Sequence, residues 1–374
     1  MTGGEDKIKP KRIAVLVSGG VDSAVVVDML YKAGHDLHLY YIRIGMDNDE
    51  GDCTAEEDIE ICTLIARRYG LPLKVVSLHE EYWDHVMRYT LDTVARGLTP
   101  HPDMMCNKLI KFGFFEQRWG KDFDAVATGH YASIEEIDGV KYLATAVDPV
   151  KDQTDFLAQI SYDQLKHLMF PLGALPKSEV RRRARELNLP NANRKDSQGI
   201  CFLGKIDYSD FIKRHLGERP GPVIEIETGR KIGMHRGYWF YTIGQRKGLG
   251  LSGGPWYVVR KNVRDNVVYV SNGYDTPLQY GREIPIEEMH WISRDPMSEA
   301  TTPLPVSFKT RHSPDFYHGS MVCNPEGGFV VTSDSDVQGI APGQYAIIYT
   351  EDRRLCLGSG MISVSSGRKS KSKN

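Results

Sequence analysis

Apolar and polar positions follow one rhythm in the first half of the chain and another in the second. Arg12–Val17 is a short, nearly unbroken apolar run, read as a strand buried on both faces, and a Gly-Gly turn follows it. A helical pattern over 22–33 stops at Gly34, and Leu37–Ile44 reads as a second strand. An acidic loop, Asp47–Asp52, precedes a helix expected over 54–69, with Gly70 as its stop. A third strand is expected at Leu73–Ser77, an amphipathic helix over 80–95, a helical stretch over 106–119 and a further strand from Ala125. Short apolar strands alternating with helices imply an α/β unit with a parallel sheet covered on both faces.

The rhythm then changes. Ile134–Ala144 reads as a hairpin turning on Asp138-Gly139, and helical character returns over 152–160 and 177–187. Beyond Ile206 the chain is rich in Gly, Pro and short period-two runs, such as Trp256–Arg260, Val267–Ser271, Thr302–Lys309, Gly328–Thr332 and Gln344–Tyr349. These predict small β domains, with one boundary near 205 and another near 278. After Ser365 the chain is of low complexity and basic, a flexible tail.

Composition adds exclusions. Of 374 residues, 41% are hydrophobic and 26% charged, as in ordinary globular chains. No apolar run approaches the ~20 residues of a spanning helix, and the polar first ten residues do not read as a signal peptide. A cytoplasmic protein with no membrane partner is therefore expected. The six cysteines form no C-x-x-C pair, which speaks against zinc and iron–sulfur centres. The formal net charge of −2 hides a cluster of ten Lys and Arg between Lys177 and Arg214. Taken alone, such a run reads as a solvated face.

Two local patterns carry chemistry. Ser18-Gly19-Gly20-Val21-Asp22-Ser23 joins a strand to a helix. A helix N-terminus offers unpaired N–H groups and partial positive charge, and glycines let backbone wrap an anion. The loop lacks the lysine of a Walker A element, which suits cleavage at the α-phosphate of ATP. Gly248-x-Gly250-x-x-Gly253 matches a dinucleotide fingerprint, but no helix pattern follows it, and it reads as turns. In the second pattern, Thr99–Lys108, prolines 100 and 102 stiffen an extended segment ahead of Asp103 and Cys106. Cys106 is expected near a helix start, where the dipole favours thiolate. An N-cap aspartate and a buried cysteine explain this segment equally well. Cys201 sits in a loop bracketed by Gly199 and Gly204. Two cysteines suit sulfur transfer: one carries a persulfide, the other attacks it, and a disulfide remains.

With these motifs in place, the chain resembles the tRNA-specific 2-thiouridylases of the ATP pyrophosphatase superfamily. The resemblance rests on residues 18–23, Pro102–Lys108, Ala127–Ala132, Lys151–Thr154, Phe170–Gly173, Asp196–Phe202, Tyr241–Gly250, Arg311-His312 and Ala341–Gln344. It implies an adenine nucleotide alpha hydrolase-like domain over 1–205, a central β-rich tRNA-binding domain over 206–277 and a β-barrel over 278–365. It implies Cys106 as nucleophile, Cys201 as persulfide carrier and Asp103 as acid/base group. Leu16, Val17, Ser18, Gly19, Gly20, Val21, Asp22 and Ser23 would hold ATP with Mg2+, and Ile42 and Gly129 the adenosine. No residue is implied as a metal ligand. His101, Pro102 and Asp103 would meet the target base; His130, Lys151, Asp152, Gln153, Arg311, His312 and Gln344 would contact tRNA. In that light the basic helix over 177–187 is expected to grip RNA. A monomer is expected, served by a cysteine desulfurase or a sulfur-relay protein. Two alternatives keep part of this picture: an adenylating amide or guanidine synthetase, which needs no persulfide cysteine, and a catalytically silent tRNA-binding protein.

Overall fold

The computed structural model describes residues 9–45, 53–195, 208–273, 277–298, 302–325 and 327–363. Cys201 and the acidic loop over 47–52 lie outside these residues. The chain forms two units, one of residues 1–86 and 103–205, the other of residues 87–102 and 206–374.

The first unit is built on a parallel sheet of β1 (Arg12–Leu16), β2 (Asp36–Arg43), β3 (Leu73–Ser77), β4 (Ala125–Ala127) and β7 (Leu168–Met169). The strand order is β3-β2-β1-β4-β7, so the winding reverses between β1 and β4. Helix α1 (Val21–Lys32) follows β1, and α2 (Cys53–Tyr69) follows β2. Ile13 and Val15 of β1, Leu37 and Leu39 of β2, and Val25, Val26 and Leu30 of α1 share one core with Cys62, Ile65 and Ala66 of α2. Helix α1 is buried almost all round. Its buried Asp28 accepts from Lys32 and from the Tyr69 hydroxyl, each at 2.9 Å. Burial, reinforced by Asp28, pushes the Tyr69 hydroxyl up to about 12. Between β4 and β7, β5 (Ser133–Ile137) and β6 (Val140–Ala144) form the expected hairpin. Asp138 (φ 52°) and Gly139 (φ 74°) are both left-handed, as a two-residue turn requires.

Several expectations need correction. The helix expected over 80–95 is interrupted: α-helical His79–Tyr82 and Arg88–Ala95 flank a π-helical Trp83–Met87. Helical character expected from 106 begins at Pro102 and widens into a π-helix over Cys106–Phe114. Proline is well placed there, because the first helical turn needs no N–H from it. The helix expected over 152–160 shrinks to Thr154–Leu157. A separate helix, Tyr162–His167, begins at a Ser161/Gln164 capping box.

The second unit holds one helix where only strands were expected, Tyr208–Leu216, which buries Phe211 and Ile212. A four-stranded sheet joins β8 (Gly221–Glu225), β9 (Lys231–His235), β10 (Trp256–Asn262) and β11 (Val267–Asn272) in the order β10-β11-β8-β9. The glycine-rich stretch over 248–253 lies in turns between β9 and β10, with no helix after it. Next come β12 (Tyr280–Trp291), β13 (Leu304–Lys309), β14 (Tyr317–Cys323), β15 (Phe329–Gln338), β16 (Tyr345–Tyr349) and β17 (Leu355–Ile362). They run antiparallel in the order β12-β15-β14-β13-β16-β17, and pairing of β12 with β17 closes a barrel. Ile284, Val306, Phe308, Met321, Val331 and Ile348 fill its interior. Among the described residues, no helix is long and apolar enough to cross a membrane.

Candidate active site

In a doubly wound sheet the crevice opens at the carboxyl ends of the strands where the winding reverses. Here that place lies beyond β1 and β4. The loop from Val17 to Gly20 leaves β1 and enters α1, and Gly20 is the N-cap without a side-chain cap. The first bond into the helix is Ala24 N–H to the Gly20 carbonyl at 3.3 Å. The amides of 21–23 precede it and have no partner inside the helix. Two serines brace the turn: Ser23 Oγ donates to the Gly20 carbonyl at 3.1 Å, and Ser18 N–H donates to Ser23 Oγ at 3.3 Å.

Gly19 takes φ +70°, and a Cβ there would stand 2.8 Å from Asp58 Cα. Only glycine lets the loop lie this close against α2. Its carbonyl accepts from Asn191 Nδ2 at 2.8 Å and from Arg194 at 3.3 Å. Arg194 also pairs with Asp58. Burial drives the Asp58 carboxyl up, against the pull of Arg194. Beneath the loop, burial pushes the Cys62 thiol up to about 12, which makes it a packing group.

Gly129 follows β4 and closes the crevice from the other side. A Cβ on it would lie 3.1 Å from the Ser23 nitrogen. The absent side chain lets the segment after β4 lie close against the helix terminus. Ile42, half-buried near the carboxyl end of β2, lies on the same edge of the sheet. Leu16 ends β1, and the Val17 N–H donates to Tyr40 at 2.9 Å.

Asp22 holds a cation that the motif did not reveal. Lys177 Nζ lies 2.7 and 2.8 Å from its two carboxylate oxygens, and the Tyr131 hydroxyl donates to it at 2.9 Å. The loop lacks a lysine of its own, yet one reaches it from 155 positions away. Lys177 opens the basic helix Lys177–Glu186. Elsewhere on that helix Arg182 pairs with Glu179 and Glu186, Arg183 pairs with Glu179, and Arg181 donates to the carbonyls of Ala192 and Arg194. Much of the helix's charge is thus taken up locally.

Cys106 is buried at the first position of the π-helical run and is in no disulfide. A wide turn leaves carbonyls out of step with the helical ladder. The Gln164 side chain answers two of them, donating to Lys108 at 2.9 Å and to Phe112 at 2.7 Å. Single π turns inside helices recur at functional sites. Asp103 is half-buried one turn ahead of Cys106. Further along, the Phe112 ring meets His130 edge-on at 6.0 Å, and His130 directly follows Gly129. The cysteine's helix and the Val17–Gly20 loop are therefore joined through the segment after β4. His130 also faces Phe170 and hydrogen-bonds Thr128 at 2.8 Å. Burial first, and Lys111 second, hold its imidazole well below its usual value.

Of the positions expected to meet RNA in this unit, Lys151 and Gln153 are partly exposed. Asp152 is buried, with its carboxylate accepting from the amides of Ala146 and Thr154 at 2.7 and 3.3 Å. Gln153 accepts the Tyr131 amide at 3.0 Å. In the second unit Arg311 and His312 are exposed after β13, whereas His101 and Pro102 are buried. Gln344 is half-buried against residues 99 and 100. Among the described residues no three His, Cys, Asp or Glu side chains converge as a metal site.

Residues 11–205 match the family described as tRNA methyl transferase HUP domain, 209–272 the tRNA methyl transferase PRC-barrel domain, and 281–362 the aminomethyltransferase beta-barrel domain. The chain is 60% identical over 352 residues to a tRNA-specific 2-thiouridylase of Parabacteroides distasonis, covering 94% of this chain and 98% of the relative. It is 59% identical over 359 residues to one of Porphyromonas gingivalis, with coverage of 94% and 98%. The solved U34-tRNA thiolase of Methanococcus maripaludis overlaps 56% of this chain and 69% of its own, at 18% identity and a TM-score of 0.35. With three successive domain matches and near end-to-end identity of this size, the chain belongs to the tRNA-specific 2-thiouridylase family.

Proposed function

We propose that this protein thiolates the wobble uridine of tRNA at C2, spending ATP and releasing AMP and pyrophosphate. A uracil C2 carbonyl is urea-like, and its oxygen is a poor leaving group; joined to the α-phosphate, that oxygen departs with AMP. The observation that carries this reading is the open row of amides at 21–23, bared by Gly129 and flanked by Lys177. These groups suit a nucleotide whose α-phosphate is attacked and whose pyrophosphate leaves. Mg2+ would come with the nucleotide and neutralise phosphate charge.

Cys201 carries a persulfide received from a cysteine desulfurase or relay protein. The Cys106 thiolate attacks the Cys201 Sγ, an S–S bond forms between the two cysteines, and hydrosulfide leaves with the electron pair of the broken bond. Hydrosulfide adds to C2 and AMP departs. A cellular dithiol then reduces the disulfide. Asp103 is the candidate for handling protons at this site. The relatives' names support thiolation, and the phosphate loop supports it over the methyl transfer in the domain descriptions, since methyl donation from a sulfonium compound needs no adenylation.

Purified protein with tRNA, ATP and a persulfide donor should give 2-thiouridine by nucleoside mass spectrometry, with AMP and pyrophosphate in equal amount. Cys201→Ser should abolish the thionucleoside. AMP formation with no thionucleoside from the wild-type protein would point to a different acceptor. Methylated uridine formed from a sulfonium donor would defeat the proposal.

A further inference from the structure

We infer that Lys309 is a positioning residue, which fixes the connection between β13 and β14 so that Arg311 and His312 meet RNA in one geometry. The inference deepens the reading above and rests on it, since those two residues are among the barrel's expected contacts with tRNA. All the contacts that carry it lie inside the second unit.

Val306 and Phe308 of β13 fill the barrel interior, so Ser307 and Lys309 face outward. An outward lysine ordinarily carries its charge into water, yet Lys309 is only 1% exposed. Tyr349 of β16 pairs in register with Ser307 and lies on the same outer face. Lys309 Nζ lies 4.2 Å from the centroid of the Phe316 ring and 5.8 Å from that of Tyr349. The two rings meet edge-on at 4.9 Å. Aromatic faces attract a cation, more strongly where water is excluded, and this offsets the cost of taking the ammonium out of water.

The register of β13 and β14 runs out at Phe308 and Tyr317, so Lys309 and Phe316 stand at the two feet of the connection between the strands. Their contact closes its base. Between the feet, Arg311 and His312 are exposed, and the Asp315 N–H donates to Ser313 Oγ at 3.1 Å. A second turn, after β16, braces the same ring: Arg353 Cζ lies 5.7 Å from the Phe316 centroid. Arg353 also donates to His318 Nε2 at 2.6 Å, which leaves the other ring nitrogen to donate to Ser307 Oγ at 3.0 Å. Ser307 Oγ in turn donates to the Glu351 carbonyl at 2.9 Å. Phe316 is thus held by two cations, and the turns over 310–316 and 350–354 are tied to each other. A connection held at its base presents its exposed side chains with less freedom to lose when RNA binds. Lys309 itself is buried, so its effect on RNA passes through Arg311 and His312.

The test uses the full-length protein and reads the dissociation constant for tRNA, measured well below the Tm of each variant. Lys309→Met keeps much of the side chain's bulk and removes its charge. The double variant Arg311→Ala/His312→Ala removes the groups that the lysine is held to position. Lys309→Met should weaken tRNA binding about tenfold. In the Arg311→Ala/His312→Ala background it should change affinity by no more than about twofold, because the lysine acts through the missing pair. Equal losses in both backgrounds would make Lys309 an independent RNA contact or a general prop of the barrel, and would overturn the inference. Wild-type affinity in Lys309→Met, or in Arg311→Ala/His312→Ala, would overturn it as well. If Lys309→Met does not fold, Phe316→Leu is put through the same cycle and decides. Binding is read without ATP or a sulfur donor. A wild-type protein that binds tRNA and forms no thionucleoside would therefore count against the proposed function, while the cycle still decides the role of Lys309.

Discussion

Two turns in this protein hinge on a glycine and do opposite things. Ser18–Ser23 and Ala341–Gln344 each turn on a left-handed glycine, Gly19 at φ +70° and Gly343 at φ +91°. At the first, the helix amides of 21–23 are left open and Gly129 withholds a side chain in front of them. At the second, the chain's own segment over 98–100 fills the space, and Pro342 and Gln344 bond to it. A glycine turn therefore reads as a ligand cradle only when its amides remain unspent. When they are spent on the chain itself, the same turn is a clamp.

Gly129→Val should break this contrast most severely. Its side chain would invade the Ser23 nitrogen, and ATP-dependent pyrophosphate release should fall about a hundredfold or more, with thermal stability of the second unit unchanged. Lys177→Met removes the cation from Asp22 and should raise the ATP KM or lower turnover about tenfold, measured by AMP formation at varied ATP. Gly343→Ala is the mirror test. Strain and contact with Leu98 and Thr99 should cost about 1–3 kcal/mol, seen as a lower Tm of the second unit, while ATP binding by calorimetry stays as in wild type.

The smallest effect is common to both regions. Burial depresses His130 in the first unit and His235 in the second. Each takes up a proton less readily in the fold than in the unfolded chain, so below about pH 6.5 the unfolded chain binds more protons. Stability should therefore fall on acidification below that point and be flat above it. His130→Gln should reduce the slope of Tm against pH between about 5 and 6.5.

What was legible in the sequence follows the range of the interactions. The strand-to-helix turn at 18–23 and the Asp138-Gly139 hairpin are written in neighbouring residues, and both formed where the pattern placed them. The π turns were hidden, because an apolar stripe at helical spacing does not show one extra residue. Lys177 could not be assigned to Asp22, nor Gln344 to Pro100, since those pairs are 155 and 244 positions apart. Barrel closure likewise depends on β12 meeting β17, which no local pattern announces. The basic run shows its charge in sequence, but not which arginines pair with Glu179 and Glu186.

The π-helical run over Cys106–Phe114 has a directional meaning. One surplus residue in a helix turns everything before it by about 100° relative to everything after it. The compass bearing of the Cys106 thiol is thus offset from the one an unbroken α-helix would give, while the residues beyond Phe114 keep theirs. Gln164 acts as the latch on that offset, because its amide bonds to Lys108 and Phe112 fit the widened turn and would have no place in a regular one. Excising a single residue from the run would leave the polypeptide helical yet swing the sulfur to another quadrant.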